Sequence, residues 1–230
     1  MKRIVLLAGL LMSFAAYAAD SKEEVTAAAK KLGDSGNYSW KTTVKVPEDS
    51  QFKPGPTDGK IDKDGTALIT SSFGDNLVET VVKGEKGAMT NRDGDWQSLS
   101  EIEADTEGFG RFRGAMIRNF KAPAAQAIEL ANATKELKKD GDVISGDLTP
   151  EGAKQFVSFR RGGNATVNNA SGNVKFWVKD GMLTKYEFHV KGSVSFNGQD
   201  RDVDRTSTTE ISKVGETKVV VPEAAKKKLS

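Results

Sequence analysis

Asp-Gly and Asn-Gly pairs recur along this chain, among them Asp58-Gly59, Asp64-Gly65, Asp93-Gly94, Asp180-Gly181 and Asn197-Gly198. These residues tolerate the positive φ that tight hairpin turns require. Between the pairs lie β-rich runs at residues 66–73, 76–83, 86–91 and 95–99. Such spacing predicts an antiparallel meander of neighbouring strands, with more strand than helix overall.

Two stretches show a clear apolar side. Trp40, Thr42, Val44 and Val46 alternate with Lys41, Thr43 and Lys45, a period of two that makes a strand with one apolar face. Further on, Val174, Phe176 and Val178 alternate with Lys175, Trp177 and Lys179. After the Asp180-Gly181 turn, Met182, Tyr186, Phe188 and Val190 alternate with Leu183, Lys185, Glu187 and His189. That pattern predicts a hairpin. Strands are also expected at 142–148, 205–214 and 217–221.

Helical spacing appears in between. Ser21 and Glu24 suit a capping box, with Val25, Ala28, Ala29 and Leu32 on one face and Gly33 as the stop. Residues 109–120 form a second candidate. A third opens at Pro123, turns Ala124, Ala127, Ile128, Ala131 and Leu137 inward, and stops at Asp140-Gly141. Thr149-Pro150 starts a fourth, with Ala153, Phe156 and Val157 inward. Residues 162–172 read as a Gly- and Asn-rich loop, and Pro222 opens a short basic helix ending at Leu229. Nothing in the pattern marks a repeat or a linker.

The first residues look like a targeting segment. Met1-Lys2-Arg3, 13 apolar-run residues from Ile4 to Ala16, and Ala16-Tyr17-Ala18 fit a secretory signal peptide of residues 1–18. Cleavage is expected after Ala18, with Ala19 as the alternative, leaving one domain of residues 19–230. The run is too short for a permanent membrane span, so no transmembrane anchor is expected after cleavage; a retained anchor helix is the other reading. Losing Lys2 and Arg3 takes Lys plus Arg from 34 to 32, equal to the 32 acids. No basic excess is left to hold nucleic acid. The chain has no Cys and one His. That excludes a disulfide scaffold, a thiolate metal site, a Cys nucleophile, a lipid-modified Cys and any site of two imidazoles.

Other candidate chemistry is sparse. His189 has no visible nucleophile and orienting acid, and reads as an exposed strand residue. Asp200, Asp202 and Asp204 begin like a calcium loop, but its sixth position is Arg205 and its twelfth Ile211. With Arg201 and Arg205 interleaved, they read as a solvated edge that discourages pairing between molecules. Gly108, Gly110 and Gly114 miss the dinucleotide spacing. Glu101, Glu103, Asp105 and Glu107 read as a solvated loop. No metal and no cofactor are expected.

Residues 109–120 set Phe109, Phe112, Met116, Ile117 and Phe120 beside Arg111, Arg113 and Arg118. One reading is an apolar lid over a cavity, with arginines for lipid headgroups. The other is an amphipathic helix packed on a sheet, with its arginines in water.

Several strings carry a family likeness: Asn37-Tyr38-Ser39-Trp40, Gly94-Asp95-Trp96, Phe176-Trp177-Val178-Lys179-Asp180-Gly181, Arg205-Thr206-Ser207-Thr208-Thr209-Glu210-Ile211 and Val221-Pro222. Through them, over residues 37–222, the chain resembles the LolA/LppX-like superfamily of exported lipid and lipoprotein carriers. The resemblance implies an α+β fold: an incomplete antiparallel β-barrel, that is a curved sheet, with helices packed on its concave face and an apolar cavity between them. It leads to the expectation of a soluble, monomeric, non-enzymatic carrier, periplasmic or secreted, that binds lipids or acylated proteins. The expected ligand-binding residues are Trp40, Phe109, Phe112, Met116, Phe176, Tyr186 and Phe188, with no catalytic residue. The alternative is an exported protein-interaction or sensing module with a packed core on the same fold. A hydrolase comes third.

Overall fold

The computed structural model describes residues 11–50, 53–74, 76–105, 110–158, 166–196 and 199–229, with backbone alone for 11–20, 73 and 196. Helix α1 (Leu11–Asp34) precedes a meander of β1 (Tyr38–Lys45), β2 (Thr57–Ile61), β3 (Ala67–Phe73), β4 (Asn76–Lys83), β5 (Lys86–Thr90) and β6 (Trp96–Ser98). Helices α2 (Leu99–Ala104), α3 (Gly110–Arg118) and α4 (Pro123–Asn132) follow. The chain then forms β7 (Lys138–Asp140), β8 (Val143–Asp147), α5 (Pro150–Ser158), and the long strands β9 (Thr166–Lys179), β10 (Met182–Phe196) and β11 (Gln199–Ser212). Helix α6 (Glu223–Lys226) comes last. The described strands build one antiparallel sheet in the order β6-β5-β4-β3-β2-β1-β11-β10-β9-β8-β7. The sheet is curved and does not close, and helices pack on its concave face, as the resemblance implied.

Turn chemistry explains most of this meander. Asp180 and Gly181 both take positive φ, 53° and 68°, and join β9 to β10 in a two-residue hairpin. Asp64-Gly65 and Asp93-Gly94 also lie in turns; Asn197-Gly198 falls outside the described residues. Asp58-Gly59 is not a turn but lies inside β2. Gly59 sits opposite Trp40, and a Cβ there would run into the indole. The missing side chain therefore makes room for a large neighbour, rather than allowing an unusual φ.

Several boundaries differ from expectation. α1 continues upstream through Ser21 to Leu11, because the Ala-rich stretch before Ser21 favours helix. A capping box occurs instead at Ser98 and Glu101, opening α2 where a solvated loop was expected. α4 ends at Asn132, where Thr134 Oγ1 turns back to donate to Ala131 O at 2.6 Å. Asp140 is instead the last residue of β7, Gly141 and Asp142 make the β7–β8 hairpin turn, and the buried Leu137 is not helical. β9 absorbs residues 166–172, and a register shift opposite Lys191–Ser193, with Asn169 at φ 53°, accommodates the extra residue. A second shift between Leu183 and Lys185 reverses side-chain parity, so Leu183 is buried although its neighbours in the alternation are polar. Residues 217–221 form no strand. Side chains hold this segment instead: Asn37 Nδ2 donates to Thr217 O at 2.7 Å, and Asp62 Oδ2 accepts from Val219 N at 3.3 Å. Thr149 caps α5 as expected, accepting from Gly152 N at 3.0 Å.

The two faces of the sheet differ in chemistry. On the convex face, Lys175 stands opposite Glu187, and Glu210 lies between Lys185 and Lys41. Such alternating charge belongs in water. The concave face carries one continuous apolar core, to which α1, α4 and α5 contribute Val25, Leu32, Leu130 and Phe156.

Candidate functional site

The concave face presents Trp40 from β1, Phe176 from β9, and Tyr186 and Phe188 from β10. All four are buried, Trp40 and Phe188 at 6% exposure. Trp40 stacks on Phe120, with ring centroids 6.2 Å apart, and tilts against Tyr38 at 5.9 Å. Phe188 meets Phe156 of α5 at 5.5 Å. Tyr186 donates its hydroxyl to Gln126 Oε1 at 2.6 Å, and Tyr38 accepts from Ala124 N at 3.3 Å. These four residues therefore spread along one wall, with Tyr186 against α4, Phe188 against α5 and Trp40 against Phe120, which follows α3. Met116 is half-buried against the same core, whereas Phe112 is 39% exposed. Phe109 lies outside the described residues.

α3 packs on α2 through Gly110, which faces Ile102 and Asp105, and Gly114, which faces Glu103 and Leu99, and it meets the sheet through the buried Ile117. Ile117 lies so close to Gly87 that a Cβ there would strike it. Arg113 donates to Gln97 Oε1 at 2.8 Å and Thr90 O at 3.2 Å, and Arg118 pairs with Glu103 at 2.6 Å. Arg113 is half-buried and ties the helix to the sheet, whereas Arg118, though paired, is exposed to water, as is Arg111.

The buried tyrosines give an alkaline prediction. Desolvation pushes the Tyr38 phenol up to about 12, although its bond with Ala124 N lowers it. Burial raises Tyr186 further, against the lowering effect of its bond with Thr209. Their ordinary value is 10.0, so an unfolded chain ionises first. Stability present below pH 10 is therefore lost as pH rises towards about 12. In the chain without residues 1–18 these are the only two of its three tyrosines left. Tyrosinate absorbance should appear only together with alkaline unfolding; absorbance that rises while circular dichroism stays native would contradict the burial.

His189 is half-buried, not exposed as expected, with Nε2 2.8 Å from Asp204 Oδ1. Lys191 Nζ reaches Asp204 Oδ2 at 3.1 Å. The His189 hydrogen bond, then Lys191, holds the Asp204 carboxyl below its usual range. The Asp200–Asp204 series is thus a paired strand surface, with Asp200 bonded to Ser195. Among the described residues no three His, Asp or Glu side chains gather to hold a metal ion. Two surface grooves of about 350 and 330 Å3 are lined by other residues, around Asp62 and Val219 and around Asp147 and His189.

The alternation missed one row. Thr209, Thr42, Thr57 and Ser71 stand directly opposite one another on β11, β1, β2 and β3. Thr42 Oγ1 lies 2.9 Å from Thr209 Oγ1, and Thr57 Oγ1 lies 3.1 Å from Ser71 Oγ. Thr42 was visible as the one hydroxyl among Trp40, Val44 and Val46. Its neighbours could not be found without the register.

No family model and no curated protein sequence matches the chain. Solved structures do, among them two mycobacterial proteins. LprF from Mycobacterium bovis is 14% identical and aligns over 90% of this chain and 98% of its own, with a TM-score of 0.47. The lipoprotein LppX of Mycobacterium tuberculosis is 12% identical over 88% of this chain and 99% of its own, with a TM-score of 0.49. No described helix is long and apolar enough to cross a membrane.

Proposed function

We propose that this chain is an exported, monomeric, non-enzymatic binder of lipids or lipid-modified proteins, which takes acyl chains between the concave face and α3. The uneven cover of that face carries the reading. Val25, Leu32, Leu130 and Phe156, from α1, α4 and α5, are almost wholly buried, whereas α3 meets the sheet through Ile117 and Arg113 while its two buried glycines pack on α2. A helix with few apolar contacts opens at lower cost than the core. An acyl chain entering beneath it would meet Met116, Phe120 and Trp40, and each buried CH₂ contributes about 0.8 kcal/mol. Phe176, Tyr186 and Phe188 continue the wall deeper into the fold.

One observation favours the interaction-module reading: Phe156 already occupies the space in front of Phe188. Native mass spectrometry of protein purified from an envelope fraction separates the two. The carrier reading expects a chain beginning at Ala19 or Asp20, with an extra mass of amphiphile that organic extraction removes. A chain that retains Met1 and carries no adduct would overturn it.

A further inference from the structure

We infer that the hydroxyl row on the concave face is a subsite for the carbonyl of an acyl ester or amide, so that the ligand is an acylated molecule rather than a bare hydrocarbon or an ether lipid. This rests on the carrier reading.

In this row hydroxyls stand side by side on four neighbouring strands. One step up each strand, the inward positions are Ile211, Trp40, Gly59 and Ile69, with the buried Thr80 beyond them on β4. One step down, Val44 of β1 stands opposite the buried Ser207 of β11. Threonine on a convex face is ordinary strand chemistry. Here the hydroxyls line the side that carries the core.

Their bonding divides the row into two parts. Thr209 is buried, bonded to Thr42 and in register with Tyr186, whose hydroxyl reaches Gln126. That end is satisfied within the protein. Thr57 and Ser71 are half-buried and bonded to each other. A pair of hydroxyls shares one hydrogen between them, which leaves the second O–H for another acceptor. A carbonyl oxygen is an acceptor only, and fits that donor. An ether oxygen in the same place is a poorer partner. The apolar chains would then lie along the Trp40 row, with the ester fixed where the face turns polar.

The test uses delipidated full chain and two probes with the same headgroup: dipalmitoyl phosphatidylcholine and its dihexadecyl ether counterpart. Affinity is read by displacement of a fluorescent fatty acid. The ester lipid is expected to bind roughly tenfold tighter, the effect of one to two neutral hydrogen bonds. Thr57→Val with Ser71→Ala, both near-isosteric, should erase that ratio while leaving the ether-lipid affinity and melting temperature unchanged. Equal binding of the two lipids by the unmodified protein would overturn the subsite, as would a preference that survives in the double variant. Failure of both lipids to bind would overturn the carrier reading itself, and the subsite with it.

Discussion

Phe188→Asp is expected to prevent folding at neutral pH. Phe188 is 6% exposed, sits on β10 between two paired strands, and packs on Phe156 at 5.5 Å. Removing such a ring costs about 3–5 kcal/mol, and the buried carboxylate adds a desolvation penalty of several kcal/mol more. Together these match the roughly 5–15 kcal/mol that holds a typical domain folded. Phe112→Ser should behave differently. Its ring is 39% exposed, so the loss should stay within about 1 kcal/mol, while lipid affinity falls. Denaturant unfolding followed by circular dichroism measures both. If Phe112→Ser proves as damaging as a core truncation, α3 is part of the rigid core, and the interaction-module reading takes over.

Gly59→Ala is expected to be strongly destabilising, although it adds one methyl group. That group would enter the Trp40 indole at Cε2 and Cζ2. The indole is held from its other side by Phe120, so relief requires movement of β2 or of the segment after α3. Overpacking of this kind costs about 1–3 kcal/mol, occasionally more. The expected loss is about 3 kcal/mol, with a shift in tryptophan fluorescence. Trp40→Leu in the Gly59→Ala background should recover part of it, giving a positive coupling between the two sites. Additive losses would show that the two residues do not share the space.

These residues also show what the sequence made legible. The strand run from β3 to β6, the β9–β10 hairpin and the Thr149 cap follow from local chemistry, because turn geometry and alternation are properties of neighbours. Asp58-Gly59 was misread for the same reason. The pair has turn chemistry, but a partner strand places Trp40 across from it, and tertiary contact decides. Leu183 was set on the polar side because a bulge changes parity without leaving a compositional mark. The site was less legible than the fold. Alternation identifies Trp40, Phe176 and Phe188 as inward, but not that Trp40 would stack on Phe120 and Phe188 on Phe156 of α5. The Thr57–Ser71 pair depends on the register between β2 and β3, which one strand read alone does not contain. The capping box at Ser98 and Glu101 was readable in principle, and was hidden by the acidic run around it.

Lipid carriage is tested most directly by the melting temperature of delipidated protein titrated with lipid. A ligand that binds only the folded chain stabilises it by mass action, by about 2.7 kcal/mol at a hundred times its dissociation constant. The melting temperature is expected to climb with the logarithm of lipid concentration, and Phe112→Ser to weaken that climb. A melting temperature that stays constant with saturating phosphatidylcholine, palmitate and an acylated peptide alike would contradict lipid carriage.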